Sequence, residues 1–137
     1  MDLGSRGGRA GTGGTGRIKV GCGGPMCVGS TDVRDGKWHH VAAVFVEPSG
    51  AKESGSVLLY VDGKLENRTF GVGHVQLKTD TASTRAEPVQ FGRQVLLGHR
   101  QREYFKGAID EVFVVNAALT GDEVRHLMRN HSMPQQP

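Results

Sequence analysis

The run of residues 38–46 is the feature that most limits what this chain can fold into. Alternate residues of a β-strand point to opposite faces of its sheet. One face of this run carries Trp38, His40, Ala42, Val44 and Val46, and the other carries His39, Val41, Ala43 and Phe45. Both sets are largely apolar, which is typical of a strand buried on two sides within a sandwich.

Other short β-compatible runs surround this strand and are separated by turn signals. They are residues 17–22, 27–31, 57–61, 64–70, 95–98 and 105–115, with a weaker candidate at 75–77. The dipeptides Asp35-Gly36 and Asp62-Gly63 are strong turn signals, and the second predicts a tight hairpin. Many short strands with turns between them predict an all-β antiparallel sandwich.

One short helix is predicted at the end of the chain. Thr120 is a favourable N-cap, and Glu123 three residues later completes a capping box. Val124, Leu127 and Met128 then form a short apolar stripe that would face the core.

The first residues differ from the rest in composition. Eleven of the 21 glycines lie within the first 30 residues. Residues 1–16 have no apolar periodicity and are predicted to form a flexible leader, followed by a β-sandwich over residues 17–130 and a disordered tail over residues 131–137. No apolar run is long enough for membrane insertion, and no signal peptide is visible in this chain.

The positive charge of the chain also belongs to its start. The formal net charge of +3 is already reached within residues 1–19, and the remaining residues hold equal numbers of basic and acidic side chains. Nucleic-acid recognition needs a clustered basic surface or a known motif. The sequence therefore argues against a nucleic-acid partner.

Cys22 and Cys27 flank a Gly-Gly-Pro-Met turn. A hairpin around this turn would bring the two thiols face to face. They form a disulfide if the protein is exported, and otherwise they are two small apolar strand residues. Both alternatives stay open at the level of sequence. A zinc site would need two more ligands, and no second cysteine pair exists.

Four segments occur in a characteristic order. They are residues 35–42 (DGKWHHVA), 59–64 (LYVDGK), 105–112 (FKGAIDEV) and 118–124 (ALTGDEV). Through them the chain resembles the laminin-G-like, concanavalin A-like jelly-roll family over residues 17–130. It looks most like the modules of large exported or surface-associated bacterial proteins.

This resemblance implies two curved antiparallel sheets and an extracellular or cell-surface location. It also implies a glycan or protein ligand, with calcium bound at a sheet rim in some members. We therefore expect a non-catalytic binding or adhesion module. The alternatives are a structural spacer without its own ligand and, less favoured, a glycoside hydrolase. Structural roles are expected within the motifs for Trp38, His40, Tyr60, Asp62, Gly63, Gly107 and Asp110.

Trp38 could stack on a sugar ring, but its place at the head of a strand that is apolar on both faces favours core packing. We expect it to share burial with Phe45, Leu59 and Val112. His39 and His40 cannot serve one site together, because adjacent strand residues point to opposite faces.

Asp110 and Glu111 are the adjacent carboxylates of the strand predicted over residues 105–115. A retaining glycosidase needs two carboxyl groups about 5–5.5 Å apart on either side of one bond. On a strand these two would point to opposite faces, so we expect no catalysis. Asp110 is expected to fix nearby backbone, and the alternative role is that of a calcium ligand.

By resemblance, several strands should precede the hairpin that ends near Trp38. The glycine-rich leader has too few apolar residues to supply them. The sequence therefore predicts an incomplete sandwich whose exposed strand edges favour self-association.

Overall fold

Antiparallel strands and one C-terminal helix make up the part of the chain that this computed structural model describes, residues 16–21, 26–46, 56–66, 69–70, 91–95 and 102–133. The strands are β1 (Arg17–Gly21), β2 (Met26–Asp32), β3 (Val41–Val46), β4 (Ser56–Val61), β5 (Lys64–Leu65), β6 (Thr69–Phe70), β7 (Arg93–Val95) and β8 (Arg102–Tyr104). The helix α1 spans Gly121–Asn130. The predicted all-β sandwich with one short terminal helix is confirmed, as a partial jelly roll.

The first sheet has the strand order β1-β2-β6, and the second has the order β3-β4-β5. The predicted hairpin of β1 and β2 forms, with an irregularity in the pairing between Arg17 and Lys19. β3 and β4 pair over six residues, from Val41 opposite Val61 to Val46 opposite Ser56. β7 and β8 form a separate two-stranded sheet.

The predicted strand over residues 64–70 divides between the two sheets. β5 pairs with β4 in the second sheet, whereas β6 pairs with β2 in the first. The chain therefore changes sheets around Glu66, whose backbone N–H still donates to Leu59 O at 2.9 Å. A strand that switches sheets at a corner is a common way to close a sandwich.

Glu66 is buried at this corner, and its carboxylate accepts four hydrogen bonds from β2. The backbone N–H groups of Ser30 and Thr31 donate to Oε2 at 2.6 and 2.7 Å. The two hydroxyls donate at 3.1 Å (Ser30 Oγ to Oε2) and 2.7 Å (Thr31 Oγ1 to Oε1). A side chain at Gly29 would collide with the carboxylate, since its Cβ would lie 2.8 Å from Oε2.

The core lies between the two sheets and continues on the outer face of the second sheet. Ile18 and Cys27 of the first sheet face the inward side of β4, where every second residue is apolar and buried. On the other side of β4, Tyr60 packs with Val44 and with Val124 of α1. Because the second sheet is covered on both faces, its strands carry apolar residues on both faces, as predicted.

The helix α1 begins and ends as its sequence predicts. Thr120 is the N-cap, and its side chain and that of Glu123 form the reciprocal capping box. Val124 and Leu127 are buried. His131 ends the helix in the left-handed conformation at φ 51°, and its N–H donates to Leu127 O at 2.9 Å.

The prediction that Trp38 belongs to the core is wrong. β3 begins at Val41, so the alternating pattern of the strand does not extend back to Trp38. The indole is 69% exposed, and its expected neighbours Phe45 and Val112 are exposed as well, whereas Leu59 is fully buried.

The strand predicted over residues 105–115 is also absent. β8 ends at Tyr104, and the residues that follow form neither strand nor helix until Gly121. Glu111 has a φ of 51°, which interrupts an extended conformation. Apolar residues of this stretch are exposed on both sides, because no second strand pairs with it within the described ranges.

Two smaller differences concern boundaries. Gly16, predicted to lie in the leader, is buried at φ 91°, and its carbonyl accepts a hydrogen bond from Val33 N at 2.8 Å. β7 covers Arg93–Val95 and therefore begins two residues before the strand predicted over 95–98, whose last three residues lie outside the described ranges. The weak strand at 75–77, the rest of the leader and residues 134–137 of the tail lie outside the described residues.

We predict that Glu66→Gln lowers the free energy of unfolding by about 2–3 kcal/mol. The substitution places an amide NH₂ against backbone N–H donors, and hydrogen bonds to a charged acceptor contribute about 1.5–3 kcal/mol. Urea denaturation followed by circular dichroism measures the difference. Asp122→Asn is the matched control, because Asp122 is highly exposed and its ion pair with Arg125 should contribute at most about 1 kcal/mol.

The effect should also depend on pH. Burial raises the pKa of Glu66, but the hydrogen bonds from Thr31 and Ser30 lower it further, and the net pKa is below its usual value. A group whose pKa is lowered by folding stabilises the fold at pH values above its unfolded pKa, about 4.3 for glutamate. This contribution is lost as pH falls through the folded pKa. The difference between wild type and Glu66→Gln should therefore shrink in acid. An unchanged difference between pH 7 and pH 3 would contradict this account.

Candidate functional site

A histidine bridges two carboxylates next to the start of β3. His39 Nδ1 lies 2.9 Å from Asp62 Oδ2, and His39 Nε2 lies 2.9 Å from Asp35 Oδ1. Only the protonated imidazolium can donate from both nitrogens at once. The geometry therefore favours a positively charged His39 held between two negative partners.

Asp62 also connects the hairpin turn to the residue after His39. Its Oδ1 accepts from His40 N at 3.0 Å, and its own N–H donates to His40 O at 2.8 Å. Asp62 and Gly63 both have positive φ, at 50° and 72°. Two such residues in succession form a type I′ turn, the geometry that Asp-Gly favours in a two-residue hairpin.

Gly63 is required for a second reason, which is the close approach of α1. A Cβ atom at this position would lie 2.9 Å from Arg125 Cγ and 3.3 Å from Met128 Cε. The Arg125 guanidinium donates to Gly63 O at 3.4 Å and to Asp122 Oδ1 at 2.6 Å. The turn therefore contacts the loop before β3 on one side and the helix on the other.

The charges of this network reinforce one another. Hydrogen bonding to Asp62, and then to Asp35, raises the pKa of His39 above its usual value. The hydrogen bond from His39 lowers the pKa of Asp35, and that from Lys37 N (3.0 Å) lowers it further. The bridge through His39 joins Asp35 of the loop 35–40 to Asp62 of the turn, so the loop is held by hydrogen bonds at both of its ends.

Trp38 lies in the middle of this fixed loop and projects into solvent. Its neighbours Lys37 and Asp35 form an ion pair at 3.5 Å between Nζ and Oδ2, and the lysine side chain is 78% exposed. An exposed indole on a loop held by hydrogen bonds can receive a ligand without first being ordered. The loop 35–40, with Trp38 at its surface, is the candidate site.

His40 differs from His39 although the two are adjacent. His40 is half-buried, and its Nδ1 has no hydrogen-bond partner among the described residues. Burial lowers the pKa of His40, Asp62 opposes this shift, and the nearby His131 adds to it. The expectation that strand alternation points the two histidines to opposite faces does not apply, because β3 begins at Val41; the two side chains differ in their contacts instead.

The remaining motif residues lie elsewhere. Tyr60 is buried under α1. Gly107 lies against the ring of Phe105, whose Cε1 would be 2.8 Å from a Cβ at that position. Both are placed for packing rather than for contact with the loop 35–40.

The carboxylates of Asp110 and Glu111 have different partners. Asp110 Oδ1 accepts from Glu111 N at 2.8 Å, while the carboxylate of Glu111 contacts His131. Because the stretch is not a strand, the expectation that strand alternation points the two groups to opposite faces does not apply. Within the described ranges no group of three or more His, Cys, Asp or Glu residues could hold a metal ion, and the calcium role of Asp110 stays a prediction.

Cys27 is buried between the sheets, with its sulfur 4.0 Å from Val57 O. Cys22 lies outside the described residues, so the disulfide between the two stays a prediction. No helix in the described part of the chain is long and apolar enough to cross a membrane.

Comparison with protein families gives one match. The model of the concanavalin A-like lectin/glucanases superfamily matches residues 6–125, a range that includes the loop 35–40, the Asp62-Gly63 turn and the start of α1. No curated protein and no solved structure matches the chain.

We predict that His39 titrates above its usual pKa of about 6.5 in the folded protein. A raised pKa stabilises the fold below the unfolded value, and this contribution is lost as pH rises through the folded value. Nuclear magnetic resonance titration of the His39 ring protons measures this pKa directly. Asp62→Asn should lower it most and Asp35→Asn less, following the order of their contributions.

The control for this experiment is Asp122→Asn, which removes a carboxylate that contacts Arg125 instead. It should leave the titration of His39 unchanged. A His39 pKa at or below 6.5 that does not respond to Asp62→Asn would contradict the bridging arrangement.

Proposed function

Because the chain belongs to the concanavalin A-like lectin/glucanase superfamily, we propose that it is a non-catalytic module that binds a glycan on the loop 35–40. The observation that carries the proposal is the exposure of Trp38 on a loop fixed by the bridging His39. In this proposal the sugar ring packs its apolar face against the indole.

The aromatic residue suits this role for a physical reason. Exposing a large apolar side chain to water is unfavourable, so covering it with a ligand lowers the free energy. An indole also offers a flat face and one N–H donor. Trp38 is the single tryptophan of the chain. A glycan that covers it would remove this apolar area from water, and little ordering entropy would oppose binding because the loop is already fixed.

Polar groups beside Trp38 supply what a sugar hydroxyl needs. Lys37 offers an exposed ammonium with three donors, and the partly exposed carboxylate of Asp35 offers acceptors. A few polar groups around an apolar surface are the usual composition of a small-ligand site. The pair therefore supports selectivity for a hydroxylated ligand.

The state of the carboxylates supports binding without catalysis. A glycosidase acid needs a raised pKa so that it carries a proton near neutral pH. The pKa values of Asp35 and Glu66 are lowered instead, by hydrogen bonds from His39 and from β2. These acids are held as anions in structural roles.

We further propose that the module belongs to a surface or exported protein. Support for this location comes from the resemblance of its four motifs to modules of such proteins. The same location would favour a disulfide between Cys22 and Cys27.

We predict that Trp38→Ala folds normally and binds glycans at least tenfold more weakly. The stacking of an aromatic face adds about 0.5–1.5 kcal/mol beyond the buried area, and a tenfold change corresponds to about 1.4 kcal/mol. An array of β-glucans, galactans and sialosides identifies the bound class, and calorimetry measures the affinity. Thermal melting should show little change, since the side chain packs against little else.

Phe91→Ala is the matched control, because Phe91 is an exposed aromatic that precedes β7 and is not part of the loop 35–40. It should leave glycan binding unchanged. A Trp38→Ala variant that fails to fold would show that the indole is a core residue after all. An equal loss of glycan affinity in both variants would indicate a general effect of exposed aromatic residues, and the proposed site would be wrong.

We also predict that the protein releases no new reducing ends from β-glucans, galactans or sialosides. A reducing-sugar assay after prolonged incubation measures this. Turnover that Asp110→Asn or Glu111→Gln abolishes would contradict the non-catalytic proposal, because it would assign the chemistry to the one adjacent acidic pair of the 105–112 motif.

A further inference from the structure

The outer edge of β3 offers an open hydrogen-bonding ladder. The second sheet has the order β3-β4-β5, so β3 has β4 on one side and no strand on the other within the described ranges. Bonds in an antiparallel pair alternate residue by residue. His40 O accepts from Asp62 N on the β4 side, so the N–H and C=O groups of Val41, Ala43 and Phe45 point to the open edge.

Residues 109–114 have the opposite property, because they are largely suited to a strand and no strand among the described residues pairs with them. Their apolar side chains are exposed on both sides: Ile109, Val112, Phe113 and Val114. Val114 is 79% exposed. Apolar residues at both odd and even positions, here interrupted by Asp110 and Glu111, are typical of an interior strand rather than of a surface loop.

We propose that two copies of this chain associate by reciprocal strand addition, residues 109–114 of each copy pairing with the open edge of β3 in the other. Within the described part of the chain, one copy carries both an unpaired segment and an open strand edge. Reciprocal pairing satisfies both in a closed, two-fold symmetric dimer. Strand addition of this kind obtains its affinity from backbone hydrogen bonds and its specificity from alternating side chains.

The two partners match in length and in polarity. β3 has six residues, and so has the added segment. A strand placed beside β3 is favoured when most of its residues are apolar on both faces, because the second sheet is covered by the first sheet on one side and by α1 on the other. Ile109 and Phe113 would extend one face together with Glu111, and Val112 and Val114 would extend the other together with Asp110.

The added segment must change conformation to pair. Glu111 has to leave its left-handed conformation at φ 51° and adopt an extended one, which a residue with a side chain generally prefers. Its contact with His131 is lost in the process. The pairing is therefore an exchange between two arrangements of residues 109–114 rather than a rigid docking.

The first test uses the wild-type chain. Size-exclusion chromatography with light scattering across a dilution series should show a dimer that dissociates to monomer. Hydrogen–deuterium exchange should show two stretches, residues 41–46 and 109–114, that lose protection together on dilution. A monomer at every concentration, or an open-ended series of larger species, would overturn the proposal.

Two substitutions test the two halves of the contact. Phe45→Lys places a charge on the accepting edge, and Val114→Lys places one on the added segment; both side chains are exposed, Phe45 to 44%. Each should raise the dissociation constant of the dimer at least tenfold. Leu65→Lys is the matched control, an exposed apolar-to-lysine change on β5 at the opposite edge of the same sheet, and it should leave the dimer unchanged.

Mixing the two variants separates reciprocal pairing from unspecific contact of apolar surfaces. In a mixed dimer, the intact segment of Phe45→Lys meets the intact edge of Val114→Lys, so one of the two exchanges is restored. The other pairing of the mixed dimer carries both substitutions, whereas each homodimer has two pairings that carry one substitution apiece. In the mixture, hydrogen–deuterium exchange should therefore show protection of the unsubstituted stretches, residues 109–114 of Phe45→Lys and residues 41–46 of Val114→Lys, and none of the substituted ones. Equal protection of substituted and unsubstituted stretches would overturn the proposal, and neither result bears on glycan binding at Trp38.

Discussion

The hydrogen bonds of one buried carboxylate hold the two sheets together at the point where the chain passes between them. Glu66 follows β5 in the second sheet, and its oxygens bind two backbone N–H groups and two hydroxyls of β2 in the first. A buried charge is stable only when such donors surround it. The absence of a side chain at Gly29 provides the space, so the first and second sheets depend on each other through this contact.

A second set of contacts explains why distant motifs occur together in the sequence. The Asp62-Gly63 turn receives His39 and the backbone of His40 from one motif and Arg125 from the helix of another. These contacts need the carboxylate of Asp62, and they need a glycine at position 63, where φ is positive and a Cβ would collide with the helix. These motifs meet at one junction in the fold, and the exposed loop that bears Trp38 is fixed as a consequence.

The local sequence pattern is sufficient to predict the elements that form within a short stretch of chain. The β1–β2 hairpin, the Asp62-Gly63 turn and the capping box at Thr120 depend on neighbouring residues, and all three were predicted. The role of Glu66 was not, since its donors lie 35 residues or more away. The alternation of residues 64–70 resembles one continuous strand, and only the identity of the pairing strands shows that it divides. The contacts of His39 are partly visible in the sequence, because Asp35 lies only four residues before it and Asp62 belongs to a predicted turn.

The two predictions that were wrong share a physical cause. Apolar alternation indicates that a segment needs neighbours, but it does not say whether the same chain supplies them. Trp38 directly precedes an interior strand, which favours a core position. Residues 105–115 have the apolar pattern of a strand. In the structure both are exposed, and within the described ranges no strand pairs with residues 105–115 or with the outer edge of β3. Burial of these residues then depends on what binds there. A ligand on the loop 35–40 and a second copy at the edge of β3 would each remove apolar surface from water that the described part of the chain leaves uncovered.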